Sequence, residues 1–166
     1  MRSFISVVLI SIFMFSCTGK TALQYNDSII KPQLEIVASM DSIFSPGISY
    51  EQIQKHRLQM LKTAEKGLAE TQVLEDFKGN ENFKNAGVEY FSYILKYFGE
   101  TPGMDSILYN FNTPERLDAI SDGVYKQTQE SFHKFLELEN KLLSEQQRFA
   151  SQFNLKMNYS QLHTSQ

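Results

Sequence analysis

A chain of 166 residues is long enough for one domain with a substantial core, and 42% hydrophobic with 13% aromatic residues excludes a disordered segment. The net charge of −3, from 16 basic and 19 acidic residues with no block of one sign, excludes the basic stripe that nucleic-acid binding requires. Eight Gly and four Pro are too few for the turns of an all-β fold, and a single Cys excludes both an intramolecular disulfide and a Cys-rich zinc site.

The first sixteen residues, MRSFISVVLISIFMFS, place Arg2 ahead of an apolar run from Phe4 to Phe15 that is broken only by Ser6 and Ser11. That run falls short of the ~20 residues a membrane-spanning helix needs, so it reads as a secretory signal. The small Ser16 then precedes Cys17. Together these features resemble the lipobox of bacterial lipoproteins, with Met14 where the commonest form has Leu. The resemblance implies that residues 1–16 are a cleaved signal peptide and that Cys17 becomes the first mature residue, carrying acyl chains such as palmitate. One chain binds a membrane only marginally, at about 0.8 kcal/mol per buried CH₂, whereas two or three hold stably. Loss of Arg2 would take the charge from −3 to −4, so attachment rests on lipid and not on charge.

Residues 17–21 form the acylated Cys and a short tether, residues 22–154 a helical domain, and residues 155–166 a polar, flexible tail. In the first helical segment Leu23, Asn26, Ile30, Leu34, Val37, Met40 and Phe44 recur at the spacing of one helical face. Pro32 should kink this helix or mark its true start, because proline lacks the N–H and clashes one turn back. SPG at Ser45 to Gly47 is a turn, and SYEQ then places Ser49 three residues before Gln52 as a capping box. The second helix carries Ile53, Met60, Ala64, Leu68 and Thr71 on its stripe and should end near Phe77.

KGNEN is the next turn, with Asn80 as N-cap. The third helix runs from Phe83 to Phe98 and is apolar on nearly every side, as a buried helix is. Gly99 to Asn112 reads as an irregular loop with one helical turn at Asp105 to Tyr109. Thr113 followed by Pro114 signals the start of a fourth helix, whose stripe runs from Leu117 and Ile120 through Val124, Ser131, Phe135, Leu138 and Leu142 to Phe149 and Phe153. The expected fold is therefore all-α, an antiparallel up-down-up-down four-helix bundle. Its lipid-proximal end would hold the start of helix one, the KGNEN turn and the end of helix four.

Catalytic signals are sparse. Glu130 and His133 have the i, i+3 spacing of di-iron bundles, but only one copy occurs and both fall off the apolar stripe, so they should face water. His56 borders the second stripe near Arg57, and His163 lies in the tail. No triad, glycine-rich phosphate loop or metal set assembles from these, so the domain reads as a non-catalytic binding or structural component of the cell envelope, free of cofactor, with a metal- or small-ligand-binding bundle in the periplasm as the alternative. The aromatic run Tyr90, Phe91, Tyr93, Tyr97 and Phe98 reads as core filling, with an apolar pocket as the alternative. Met104, Ile107, Leu108, Tyr109 and Phe111 make the far loop unusually apolar; it either folds back over the helices or offers a contact patch to an envelope or extracellular protein.

Two polar residues interrupt apolar stripes: Asn26 in the first helix, and Gln146 between Leu142 and Phe149 in the last. Both fall near the lipid-proximal end, and a buried contact between them would set helix register. YNDSII, NAGVEYFSYILKYF and EQQRFASQFNL resemble a family of bacterial surface lipoproteins in which YND near the mature start and QxxFA near the end recur around a helical domain of this size. Gln146, Phe149 and Ala150 match the second motif. That resemblance implies a lipid-anchored outer-membrane protein, facing the surface or the periplasm, and carries over no activity or ligand.

Overall fold

A computed structural model describes residues 20–156 of the chain. The segment expected to be a signal peptide, Cys17, and residues 157–166 of the expected C-terminal tail lie outside the described residues. Within them the structure is all-helical, with helices α1 (Ala22–Ile43), α2 (Tyr50–Gln72), α3 (Asn82–Ile94), α4 (Met104–Phe111) and α5 (Asp122–Gln152) packed against one another. A π-helical segment, Leu95–Gly99, continues α3, and a 3₁₀ segment, Pro114–Ala119, precedes α5. No described helix is long and apolar enough to cross a membrane.

Helix α1 starts at a capping box in which the Thr21 hydroxyl accepts from the Gln24 N–H and Gln24 Oε1 accepts from the Thr21 N–H. It runs through Pro32, which is buried and does not mark the start. Its buried arc differs from the expected stripe. Tyr25, Ile29, Ile36 and Ile43 form its centre, and Leu23 is more than half exposed. The arc lies further round because α1 packs on α2 with one flank and reaches α5 with the other: Glu35 accepts from Thr63, and Gln33 donates to Glu139.

Helix α2 begins at the Ser49–Gln52 capping box and buries Ile53, Met60, Ala64, Gly67 and Thr71. It stops at Gln72, before Phe77. Seven residues after Thr71 a continued helix would turn Lys78 inward; instead Lys78 (φ 51°) and Gly79 (φ 80°) form a tight turn closed by the Asn80 N–H on the Phe77 carbonyl at 3.0 Å. Phe77 then packs on Tyr25, Phe149 and Phe153. Asn80 is not an N-cap; its amide donates to Gln152 at 2.8 Å and ties the turn to the end of α5.

Helices α1, α2 and α3 cross closely at two glycines. A Cβ on Gly67 would lie 2.9 Å from the Pro32 Cβ and 3.0 Å from the Phe91 ring, and one on Gly87 would lie 2.9 Å from the Ile29 Cγ2. These positions need glycine for contact and not for backbone freedom.

The far loop is more ordered than expected. Gly103 (φ 70°) turns the chain into α4, whose Met104 and Leu108, four residues apart, are buried in the common core. Thr113 and Pro114 begin the 3₁₀ segment and not the last long helix. Helix α5 starts at Asp122 with Ser121 as its cap, so Leu117 and Ile120 belong to the preceding segment. From there its stripe of Thr128, Phe135, Leu138, Leu142, Gln146 and Phe149 is buried to the end.

Candidate functional site

The structure brings Asn26 and Gln146 together: Gln146 Nε2 donates to Asn26 Oδ1 at 3.0 Å, buried between α1 and α5. The ring of Tyr25 stacks on Phe149 beside this pair at 5.3 Å. In an apolar seam a shift of register would strand both amides, so the contact selects one alignment of the two helices.

Midway along the helices lies a second polar group. Gln33 Nε2 donates to Glu139 Oε1 at 2.9 Å, and Tyr90, fully buried on α3, faces the same space. The Tyr90 hydroxyl and Gln33 Oε1 have no partner among the described residues. Burial pushes the Glu139 carboxyl above its ordinary value against the opposing donation from Gln33, while burial and then the Glu139 charge push the Tyr90 phenol well up. Gln33 escapes the sequence pattern because the first stripe is drawn on Ile30 and Leu34; a stripe centred on Ile29 and Ile36 exposes it as a buried polar residue.

At the end opposite the start of α1, Arg57 organises three elements. Its guanidinium donates from Nε to Asp105 Oδ1 at 2.5 Å, from Nη2 to Asp105 Oδ2 at 3.2 Å and from Nη1 to the Phe98 carbonyl at 2.8 Å. The last carbonyls of a helix lack intrahelical donors, and Arg57 supplies one at the end of the π segment while holding α4 against α2. The two charged side chains are each 15% exposed. Asn112 of the following turn donates to the Ser45 carbonyl and ties the same end to the α1–α2 turn.

Beside this clamp opens a pocket of about 590 Å³ between the end of α3, the π segment, α4 and the start of α5. Tyr93, Tyr97, Pro102, Ile107 and Val124 give it a mainly apolar wall, and Lys96, Glu100, Gln127 and Thr128 supply polar groups. Tyr93 and Tyr97 stack at 5.9 Å and 15°, and the Tyr93 hydroxyl donates to the Ser131 carbonyl at 2.8 Å. Burial pushes the Tyr93 phenol above its ordinary value. A second groove, about 480 Å³, runs between α1 and α2, but its charged groups answer one another: Lys31 pairs with Asp27, Lys66 with Glu70, and Lys20 bonds Ser28.

The apolar residues of the far segment divide. Met104 and Leu108 are core residues and cannot serve as a contact patch, because α4 folds back onto the helices. Tyr109 is covered by Tyr50 and the Arg116 guanidinium, and Phe111 packs between Tyr125 and Phe132; Ile107 alone of the five lines the open pocket. Of the aromatic run, Tyr90, Phe91 and Phe98 fill the core, whereas Tyr93 and Tyr97 also line the pocket. Glu130 and His133 are exposed on α5, and His56 is half-buried on α2. Among the described residues no group of three His, Cys, Asp or Glu side chains is placed to hold a metal ion. Thr128, buried on the α5 stripe seven residues before Phe135, carries the same signal that marked Gln146 and was the legible pointer to the pocket floor. Comparison with models of known protein families, with curated proteins and with solved structures found no match.

Proposed function

We propose that this chain is a bacterial lipoprotein of the cell envelope, held on the outer membrane by acyl chains on Cys17 and acting as a non-catalytic binding component. In this reading α1, α2, α3 and α5 form an antiparallel up-down-up-down bundle and α4 closes its distal end. Pairwise contacts support that order: Phe44 near the end of α1 meets Phe132 near the start of α5, while Asn26 meets Gln146 at the other extreme.

The observation that carries the functional part is the position of the pocket. Thr21, which caps α1, lies four residues after Cys17, a reach of at most about 14 Å in extended chain. The 22 residues of α1 then span about 33 Å, and the pocket opens at the far end of that length. Anchoring at Cys17 therefore presents the pocket away from the lipid. Burial of Met104 and Leu108 favours a ligand taken into this pocket over a protein docked on the far segment.

Metabolic labelling with an alkyne fatty acid tests the anchor. The wild type should carry label and fractionate with membranes, and Cys17→Ala should lose both. Equal labelling of the two proteins, or labelling of neither, would overturn the anchor. Protease treatment of intact cells then separates surface display from periplasmic display.

A further inference from the structure

We infer that the distal pocket is a binding site for a small neutral molecule with a planar apolar body and a hydrogen-bonding end. This inference rests on the reading of the distal end as the binding end and names the ligand class it takes. Volume is the first argument: 590 Å³ lies within the roughly 300–1,000 Å³ typical of small-molecule sites. Wall chemistry is the second. Two stacked tyrosine rings with Ile107, Val124 and Pro102 reward a flat apolar surface, while Thr128, Gln127 and Thr101 offer hydroxyl and amide groups that both donate and accept.

Charge is the third argument. Lys96 and Glu100 flank the pocket and cancel in net charge, and neither makes an ion pair among the described residues. A pocket for an anion or a cation would carry an excess of the opposite sign. The α1–α2 groove is balanced in net charge too, but Lys31 and Lys66 there pair with Asp27 and Glu70, and it lacks an aromatic wall. Backbone geometry is the fourth. A π segment and a left-handed Gly103 frame the opening, and π turns, which are rare, are frequent at functional positions. The Arg57 clamp holds that irregular backbone, so the opening is preformed.

Thiol protection in the full-length chain in its native membranes tests the inference, because the protein has no other cysteine than Cys17. Val124→Cys and Gln127→Cys place reporters on the pocket, and Leu136→Cys places one on the exposed face of α5. As 2-naphthol is titrated in, alkylation of both pocket thiols by iodoacetamide should slow along one saturable curve, about threefold at twice the half-saturating concentration, with the Leu136→Cys thiol unchanged. Equal slowing at all three positions, or slowing at none, would overturn the site. Protection by 2-naphthalenesulfonate as strong as by 2-naphthol would overturn the neutral ligand class. Alkylation at Cys17, mapped in the same digest, reports separately on the anchor: a reactive Cys17 beside protected pocket thiols would sink the lipoprotein reading and leave the site standing.

Discussion

At the end where α1 begins, the rings of Tyr25, Phe77, Phe83, Phe149 and Phe153 interlock with centroids 4.8–6.3 Å apart. At the opposite end the aromatic side chains are as plentiful, yet two of them, Tyr93 and Tyr97, line a pocket. The difference lies in what the backbone does between them. Near Phe149 long regular helices meet through one tight turn at Lys78 and Gly79, so side chains interdigitate as in any core. Around Tyr97 the chain passes through a π segment, a left-handed glycine, a short helix and a 3₁₀ turn, and a charged clamp ties the π segment and the short helix to α2. Packing closes one end of this molecule, whereas polar bonds frame an opening at the other.

The largest expected effect is at the closed end. Phe149→Ala removes the ring on which Tyr25, Phe83 and Phe153 pack and should cost about 3–5 kcal/mol, read from the urea midpoint. A cost below 1 kcal/mol would mean that this end is no tighter than the other. Between the ends, Gly87→Ala forces a methyl against the Ile29 Cγ2 and should cost about 1–3 kcal/mol. At the distal end, Arg57→Ala should cost about 2 kcal/mol, since it strips Asp105 and the Phe98 carbonyl of a donor at a site with partial solvent access. Its sharper signature is local: amide exchange should accelerate over residues 95–108 while the amides of α1 stay protected. Uniform acceleration would show that the clamp supports the whole domain and not the opening.

The polar pair in the closed end predicts non-additivity. Gln146→Leu alone should destabilise by about 1–3 kcal/mol by leaving Asn26 buried without its donor, and adding Asn26→Leu should restore most of the loss. Failure of the second substitution to rescue would remove the pair from any role in register. The smallest effect belongs to Glu139 at the waist. A carboxyl whose folded value lies above its ordinary 4.5 binds its proton more tightly when folded, so stability falls as pH rises from 4.5 through the folded value. Glu139→Gln keeps the Gln33 bond and abolishes this dependence, so its melting temperature should exceed that of the wild type at pH 7.5, with the gain fading toward pH 4. A gain that is the same at both pH values would place its cause outside the carboxyl's charge.

Local signals in the sequence determined much of this protein. Helical spacing, the Ser49–Gln52 capping box and the scarcity of Gly and Pro specify an all-helical chain, because each acts through neighbours within one or two turns. Asn26 and Gln146 were legible for a related reason: a polar residue on an apolar stripe must find a partner, and the stripe shows roughly where. Ser121 was also written in the chain as a capping residue, and it caps the last long helix, whereas the Thr113–Pro114 signal starts only the 3₁₀ segment. Tertiary structure decided the rest. Which flank of α1 is buried depends on α2 and α5 together, so Leu23 lies outside and Gln33 inside. Arg57 meets Asp105 across 48 positions of sequence, and no local period announces a contact made by the docking of separate helices. The pocket is further still from the sequence: a cavity is the volume that several elements leave unfilled, and only their relative placement defines it.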